Sequence, residues 1–123
     1  MMDVISVKVI NNKQKGETMK LLTKEIKEQA TKQYDKGSDM EQMVVAKYFD
    51  PTGDWKWFLM NMDKDGDYCW GIVKGFEVEM GSFSMNELED MHLPFGLTIE
   101  RDLMFEPMKA SEVWEQLNDG KHV

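Results

Sequence analysis

Apolar residues recur along this chain in two rhythms, one helical and one of period two, and the change between them lays out the fold. Leu22, Ile26, Ala30 and Tyr34 fall at helical spacing. Thr23 is the N-cap, because its hydroxyl can accept from an amide that the first turn leaves unpaired. Glu25 adds an acid where the helix dipole favours one. The spacing predicts a helix over residues 23–35, stopped at Gly37. Beyond it the period shortens to two. Residues 43–49 (MVVAKYF), 55–60, 68–73 and 76–83 are rich in β-branched and aromatic side chains and read as strands. The breaks between them carry turn chemistry: Asp50-Pro51-Thr52-Gly53-Asp54, Asp63-Lys64-Asp65-Gly66-Asp67 and Lys74-Gly75. Four strands so close in sequence predict an antiparallel meander.

Ser84 with Glu87 three residues later is a capping box, and it opens a short helix through Met91. Residues 99–106 alternate again, with Ile99, Arg101, Leu103 and Phe105 on one side, and Pro107 ends that strand. Arg101 is the odd member of the apolar side and needs a partner there. Val113 and Leu117 mark a last helix over 111–117. At the start, residues 3–10 (DVISVKVI) read as a short strand and 11–18 as a polar loop. The pattern is α+β: an antiparallel sheet of four to six strands with two or three short helices. Trp55 and Trp57 fall on one face of their strand, Phe58 and Met60 on the other. Both faces therefore need cover, one from the helices and one from the N-terminal segment or a partner.

The chain has 123 residues, of which 41% are apolar, enough for one packed domain and too many for wholesale disorder. No apolar run approaches the roughly 20 residues that cross a bilayer. The first residues have no basic region before an apolar one, so no signal peptide is expected. Cys69 is the single cysteine, which excludes an internal disulfide and a multi-cysteine zinc site. These features point to the cytoplasm and away from a membrane. Charge then separates the two ends of the chain. Residues 1–49 hold nine lysines against seven acids, a net +2, whereas residues 50–123 hold six basic residues against sixteen acids, a net −10. A negative field repels nucleic acid and anionic lipid and draws basic surfaces. The expected partner is a protein with a basic surface, with no direct nucleic-acid binding.

Candidate chemistry is sparse. Asn61, Asp63, Asp65 and Gly66 match positions 1, 3, 5 and 6 of a calcium loop, but position 12 is Ile72 where a bidentate Glu is required, and the flanks read as strands. The segment is read as a hairpin reversal. The alternative is a metal or small-molecule site on Asn61, Asp63, Asp65 and Asp67. Trp55, Trp57, Phe58, Tyr68, Trp70, Phe76 and Phe83 lack the basic neighbours of a base-stacking sheet and read as core. His92 and His122 have no neighbours that suggest a metal triad or a nucleophile–base pair. Cys69 alternates with aromatics and reads as a buried, inert thiol. Gly71, Gly75 and Gly81 fit no nucleotide motif. No catalytic residue and no cofactor is assigned, and the chain is not expected to be an enzyme. Met40, Met43 and Met85 read as exposed thioethers suited to an adaptable surface. The acids Glu77, Glu79, Glu87, Glu89, Asp90, Glu100 and Asp102 are assigned to a partner-binding surface.

Several strings occur in an order that carries a family resemblance. They are Lys20-Leu21-Leu22-Thr23, Phe49-Asp50-Pro51-Thr52-Gly53-Asp54-Trp55, Asp65-Gly66-Asp67, Gly71-Ile72-Val73, Glu77-Val78-Glu79-Met80-Gly81, Ile99-Glu100-Arg101-Asp102 and Phe105-Glu106-Pro107. Over residues 20–113 the chain resembles a family of small bacterial domains of unknown function, found on plasmids, phages and integrative elements and often near antirestriction genes. The resemblance brings no catalytic residues. It implies a mobile-element setting and, by analogy, an anti-CRISPR or antirestriction inhibitor of a host nuclease. It begins at Met19, so residues 1–18 are expected to be an extension or accessory strand ahead of a single α+β domain over 19–123.

Overall fold

The structure, a computed structural model, describes residues 20–123. The strand expected over 3–10, the loop over 11–18 and the extension they form lie outside the described residues. The first helix, α1, spans Lys24–Lys32. Thr23 caps it as its sequence predicts, its hydroxyl accepting from the Ile26 amide at 3.1 Å. Ala30 is fully buried on the inner face and Ile26 packs beside it. A 3₁₀ turn, Tyr34–Lys36, then brings the chain to Gly37.

The strands are β1 (Met43–Val44), β2 (Ala46–Phe49), β3 (Lys56–Met62), β4 (Tyr68–Lys74), β5 (Val78–Ser84), β6 (Glu100–Arg101) and β7 (Met108–Lys109). Two further helices follow β5 and β7: α2 (Met85–Asp90) and α3 (Ala110–Asn118). The main sheet is antiparallel with order β5-β4-β3-β2-β6, and β1 pairs with β7 in a separate ribbon. The fold is therefore α+β, and β2 to β5 are the expected meander.

Two of the expected runs break up, each for a local reason. The run 43–49 divides at Val45, whose amide still donates to the Leu59 carbonyl at 2.8 Å while Met43 and Val44 turn away to pair with β7. The run 99–106 keeps only Glu100 and Arg101 in the sheet. The Asp102 carboxylate accepts the Met104 amide at 2.9 Å, and the Phe105 amide bonds the Asp102 carbonyl at 3.2 Å. This side-chain-to-backbone turn competes with the ladder and ends it. Leu103 and Met104 are left exposed, and Phe105 swings inward to meet Phe58, ring centroids 6.1 Å apart.

The centre of the sheet carries a bulge. The β3–β4 register shifts between Leu59 and Asn61, so two β3 residues oppose one on β4. The Met60 carbonyl finds a partner outside the ladder, the Gln33 side-chain amide at 2.7 Å. Gly71 stands opposite, where a Cβ would lie 1.9 Å from the Phe58 carbonyl oxygen, so only glycine fits. The extra residue changes the parity of β3: Met62 joins Trp57 and Leu59 in one core although its number is even.

The sheet is covered on both faces. On the first, Ala46, Tyr48, Trp57, Leu59, Met62 and Cys69 pack with Ala30 of α1 and Met85 and Leu88 of α2. On the second, Phe58, Met60 and Ile72 pack under Ala110, Val113 and Leu117 of α3. The cover expected from the N-terminal segment or a partner is thus supplied by α3. Met85, expected on the surface, is buried at the root of α2, where the Ser84 cap turns the chain back over the sheet. Met43 is exposed as expected, while Met40 packs against the second core.

Candidate functional site

The Asp-rich turn is built from backbone geometry. Gly66 adopts φ +80°, which glycine takes without the steric cost of a Cβ. The Asp63 amide donates to the Tyr68 carbonyl, and the Gly66 amide to the Asp63 carbonyl, each at 3.0 Å. Asn61 does not face this turn. It is buried on the other side, its amide donating to the Gly37 carbonyl and the Gln42 Oε1, both at 2.9 Å. Gln42 in turn donates to Gly37 and Asp39 carbonyls, so the pair pins the 37–42 loop to the sheet.

Asp67 is likewise committed. Its carboxylate accepts the Ser84 hydroxyl at 2.7 Å and the Asn86 amide at 2.8 Å, and its carbonyl accepts the Met85 amide. Those two carboxylate bonds, the Asn86 amide first, hold its pKa below the ordinary 3.8. Asp67 therefore caps α2 from the neighbouring hairpin, beside the Ser84 hydroxyl that accepts from Glu87. Of the four residues considered for a metal, the structure commits Asn61 and Asp67 to the fold and leaves Asp63 and Asp65 at the turn. Among the described residues no group of three His, Cys, Asp or Glu side chains gathers to hold a metal ion.

The seven acids of the expected binding surface fall in three places. Glu77 and Glu79 lie at the β5 edge, Glu87, Glu89 and Asp90 on the exposed side of α2, and Glu100 and Asp102 at the β6 edge. With strands about 4.8 Å apart, the two edges are separated by about 19 Å. Glu87, Glu89 and Asp90 are exposed and have no ion-pair partner among the described residues.

At the β6 edge the charges are balanced. Lys47 of β2 is 4% exposed, and its ammonium sits 3.1 Å from the Asp102 carboxylate and donates to the Val123 main-chain oxygen at 2.5 Å. Partial burial alone would raise the Asp102 pKa. The bonds from Lys47 and the Met104 amide, with the Lys47 charge, outweigh it and hold the group lower. Lys56 lies next to this pair, 3.2 Å from His122 Nδ1. Burial, then the charges of Lys47 and Lys74, pushes its pKa down. Lys47, Lys56, Asp50, Asp54, Asp102 and His122 line a cavity of about 390 Å³. Two lysines stand there among three carboxylates, so both signs of charge face an ionic ligand.

The β5 edge has a different character, and the sequence missed it. Trp55 and Phe76 read as core, yet Phe76 is 96% exposed and Trp55 38%. Phe76 lies in the β4–β5 turn rather than in a strand, which Lys74-Gly75 before it signals. The Trp55 indole lies over Gly75, where an added Cβ would come within 2.5 Å of the ring. It is 6.0 Å from Trp57 and 5.7 Å, edge to face, from Phe76. Trp55, Val73, Gly75, Phe76, Glu77 and Glu79 together line a cup of about 100 Å³. Neither carboxylate has a hydrogen-bond or ion-pair partner among the described residues.

Cys69 is buried, as expected. Burial, then the charges of Asp67 and Asp63, pushes its thiol up to about 12, which keeps it a thiol at neutral pH. Tyr48 is also fully buried. Its hydroxyl has no hydrogen-bond partner among the described residues, and burial raises its pKa far above the ordinary value. Arg101, the charged member of an apolar run, donates to the Lys20 carbonyl at 2.7 Å. Among the described residues no helix is long and apolar enough to cross a membrane.

A family model described as a protein of unknown function (DUF2958) matches residues 17–121, and the chain belongs to that family. No curated protein and no solved structure matches it.

Proposed function

From membership of a family defined without an activity, we propose that this chain is a non-enzymatic binding protein that docks an acidic surface onto a basic protein partner. The observation that supports this reading is α2, a six-residue helix whose outer side carries Glu87, Glu89 and Asp90 exposed and unneutralised. Several other polar groups with chemical promise are engaged elsewhere: Asp67 in a cap, Lys47 and Asp102 with each other, Cys69 in the core. The partner is a host nuclease of the CRISPR or restriction type, whose basic nucleic-acid groove the acids occupy. The protein then acts in the cytoplasm as an anti-defence inhibitor of a mobile genetic element, in keeping with the setting that the resemblance implies.

The test pairs the purified protein with a CRISPR effector nuclease and measures cleavage and binding across a salt series. Inhibition that falls steeply with salt and is abolished by the triple variant Glu87→Lys/Glu89→Lys/Asp90→Lys supports the reading. Binding indifferent to salt, or unchanged in the triple variant, removes the electrostatic mechanism.

A further inference from the structure

We propose that the cup formed by Trp55, Phe76, Glu77 and Glu79 is an arginine-reading pocket that takes one guanidinium from the partner. This inference rests on the reading of the protein as an acidic binder and names the anchor point of that interaction. Four observations lead to it.

The first is exposure against chemistry. Phe76 gains nothing from the core at 96% exposure, and it stands beside a second exposed ring, Trp55. The second is preorganisation. Trp55 is held over Gly75 and against Trp57 and Phe76, so a ligand meets rings already in place. The third is size. A cup of about 100 Å³ is well below the roughly 300 Å³ at which small-molecule pockets begin, and it suits a single side chain.

The fourth is charge. Register places Glu79 beside Val73, and Val73 beside Trp57, so the carboxylate stands at the end of the aromatic row. Glu77 stands two residues before it, beside Gly75. A cation over the rings would therefore be flanked by two carboxylates that have no other partner among the described residues. Aromatic faces attract a cation within about 6 Å of the ring centroid. Lysine satisfies that attraction as a compact, strongly hydrated point charge. Arginine is planar, stacks on a ring and donates a fork of N–H groups to a carboxylate at the same time. Rings and unpaired carboxylates on one wall thus select the guanidinium.

The experiment is calorimetric titration of the full chain with acetyl-(Gly-Arg)4-amide, acetyl-(Gly-Lys)4-amide and acetyl-(Gly-Ser)4-amide peptides. The Trp55 indole N–H signal is followed by NMR during each titration. The arginine peptide is expected to bind at least about threefold tighter than the lysine peptide and to shift that signal. Phe76→Ala, a change at a solvated side chain, is expected to weaken arginine-peptide binding at least about threefold and to erase the preference. Gly75→Ala should do the same by displacing the indole; if it does not fold, Phe76→Ala decides alone. Equal affinity for the two basic peptides, or Phe76→Ala indistinguishable from the parent, overturns the pocket. The helix variant Glu87→Lys/Glu89→Lys/Asp90→Lys separates the two ideas. Binding lost in it but unaffected by Phe76→Ala overturns the pocket and leaves the acidic surface standing. Binding kept in it but lost with Phe76→Ala supports the pocket and removes α2 from the proposed function. No difference among the three peptides overturns both.

Discussion

The two edges of the main sheet carry the same kind of residue and use it in opposite ways. At the β6 edge Asp102 faces a buried lysine, and its carboxylate holds together β2, the turn after β6 and the end of the chain through Lys47 and Val123. At the β5 edge Glu77 and Glu79 face aromatic rings and, among the described residues, no cation. A carboxylate opposite a buried cation is part of the fold, since removing it strands the cation in a poor dielectric. A carboxylate opposite exposed rings is available to a partner. Net charge counts the two alike, and only the neighbouring side chain tells them apart.

The largest effect is expected where that difference is broken at the β6 edge. Asp102→Ala leaves the Lys47 ammonium, 4% exposed, without its counter-ion. A loss of about 3 kcal/mol is expected in urea unfolding. Lys47→Met is the mirror test. It removes the buried charge and leaves Asp102 with access to water, so it should stay within about 1 kcal/mol of the parent. Equal losses in the two variants would mean that the pair acts as a surface bridge and that burial of Lys47 has no energetic weight.

Acid sharpens the same contrast. Asp67 and Asp102 both have pKa values lowered in the folded state, from the ordinary 3.8. A depressed carboxylate contributes stability that is complete above the unfolded pKa and is lost as pH falls through the folded one. Thermal stability should therefore hold level down to about pH 5 and decline below about pH 4. Asp67→Asn/Asp102→Asn is expected to start lower and to flatten that decline. An unchanged acid slope in the double variant would show that neither bond is felt in the unfolding equilibrium.

How much of this was legible in the sequence depends on whether a feature is local. The Thr23 and Ser84 caps, the turns at 50–54 and 63–67 and the alternation of Trp57 against Phe58 are fixed by neighbours within a few residues, and the structure has each of them, whereas the third turn runs past Gly75 to take in Phe76 and Glu77. The bulge at Met60 was not, because it needs Gln33, Gly71 and Phe58 brought together from three separate segments. The end of the 99–106 strand failed for a related reason: alternation was judged by hydropathy, while Asp102 carried a competing turn. The candidate site was half legible. Charge located the acids, but the partner that neutralises Asp102 lies 55 residues earlier at Lys47, and the ring that makes Glu79 useful lies on another hairpin. Phe76 was legible in principle, since it follows Lys74-Gly75 and sits inside a turn.

A smaller effect is expected at Tyr48, which pairs with Arg101 across β2 and β6. Its hydroxyl is buried without a hydrogen-bond partner among the described residues. Burying an unsatisfied hydroxyl costs about 1–3 kcal/mol, so Tyr48→Phe should stabilise the protein by about 1 kcal/mol. A loss of stability would reveal that the hydroxyl does have a partner in solution. Trp70 offers the same anomaly on the second face, its indole N–H being unpaired among the described residues, but substituting an indole also removes packing.

The smallest change in stability belongs to the β5 edge, and its smallness is what makes it informative. Two residues apart on a strand face, Glu77 and Glu79 stand about 7 Å from each other. Two like charges at that distance repel by about 0.6 kcal/mol in water, and salt reduces this further. Glu77→Gln/Glu79→Gln should thus leave the unfolding midpoint unchanged or slightly raised, by under about 0.5 kcal/mol. The same variant should weaken arginine-peptide binding, because the carboxylates are half of the cup. A protein can lose binding by unfolding or by losing the contact, and here the first route is closed by the size of the repulsion. If the double glutamine variant instead loses stability as Asp102→Ala does, then Glu77 or Glu79 holds a cation in solution, and the two edges of the sheet are alike after all.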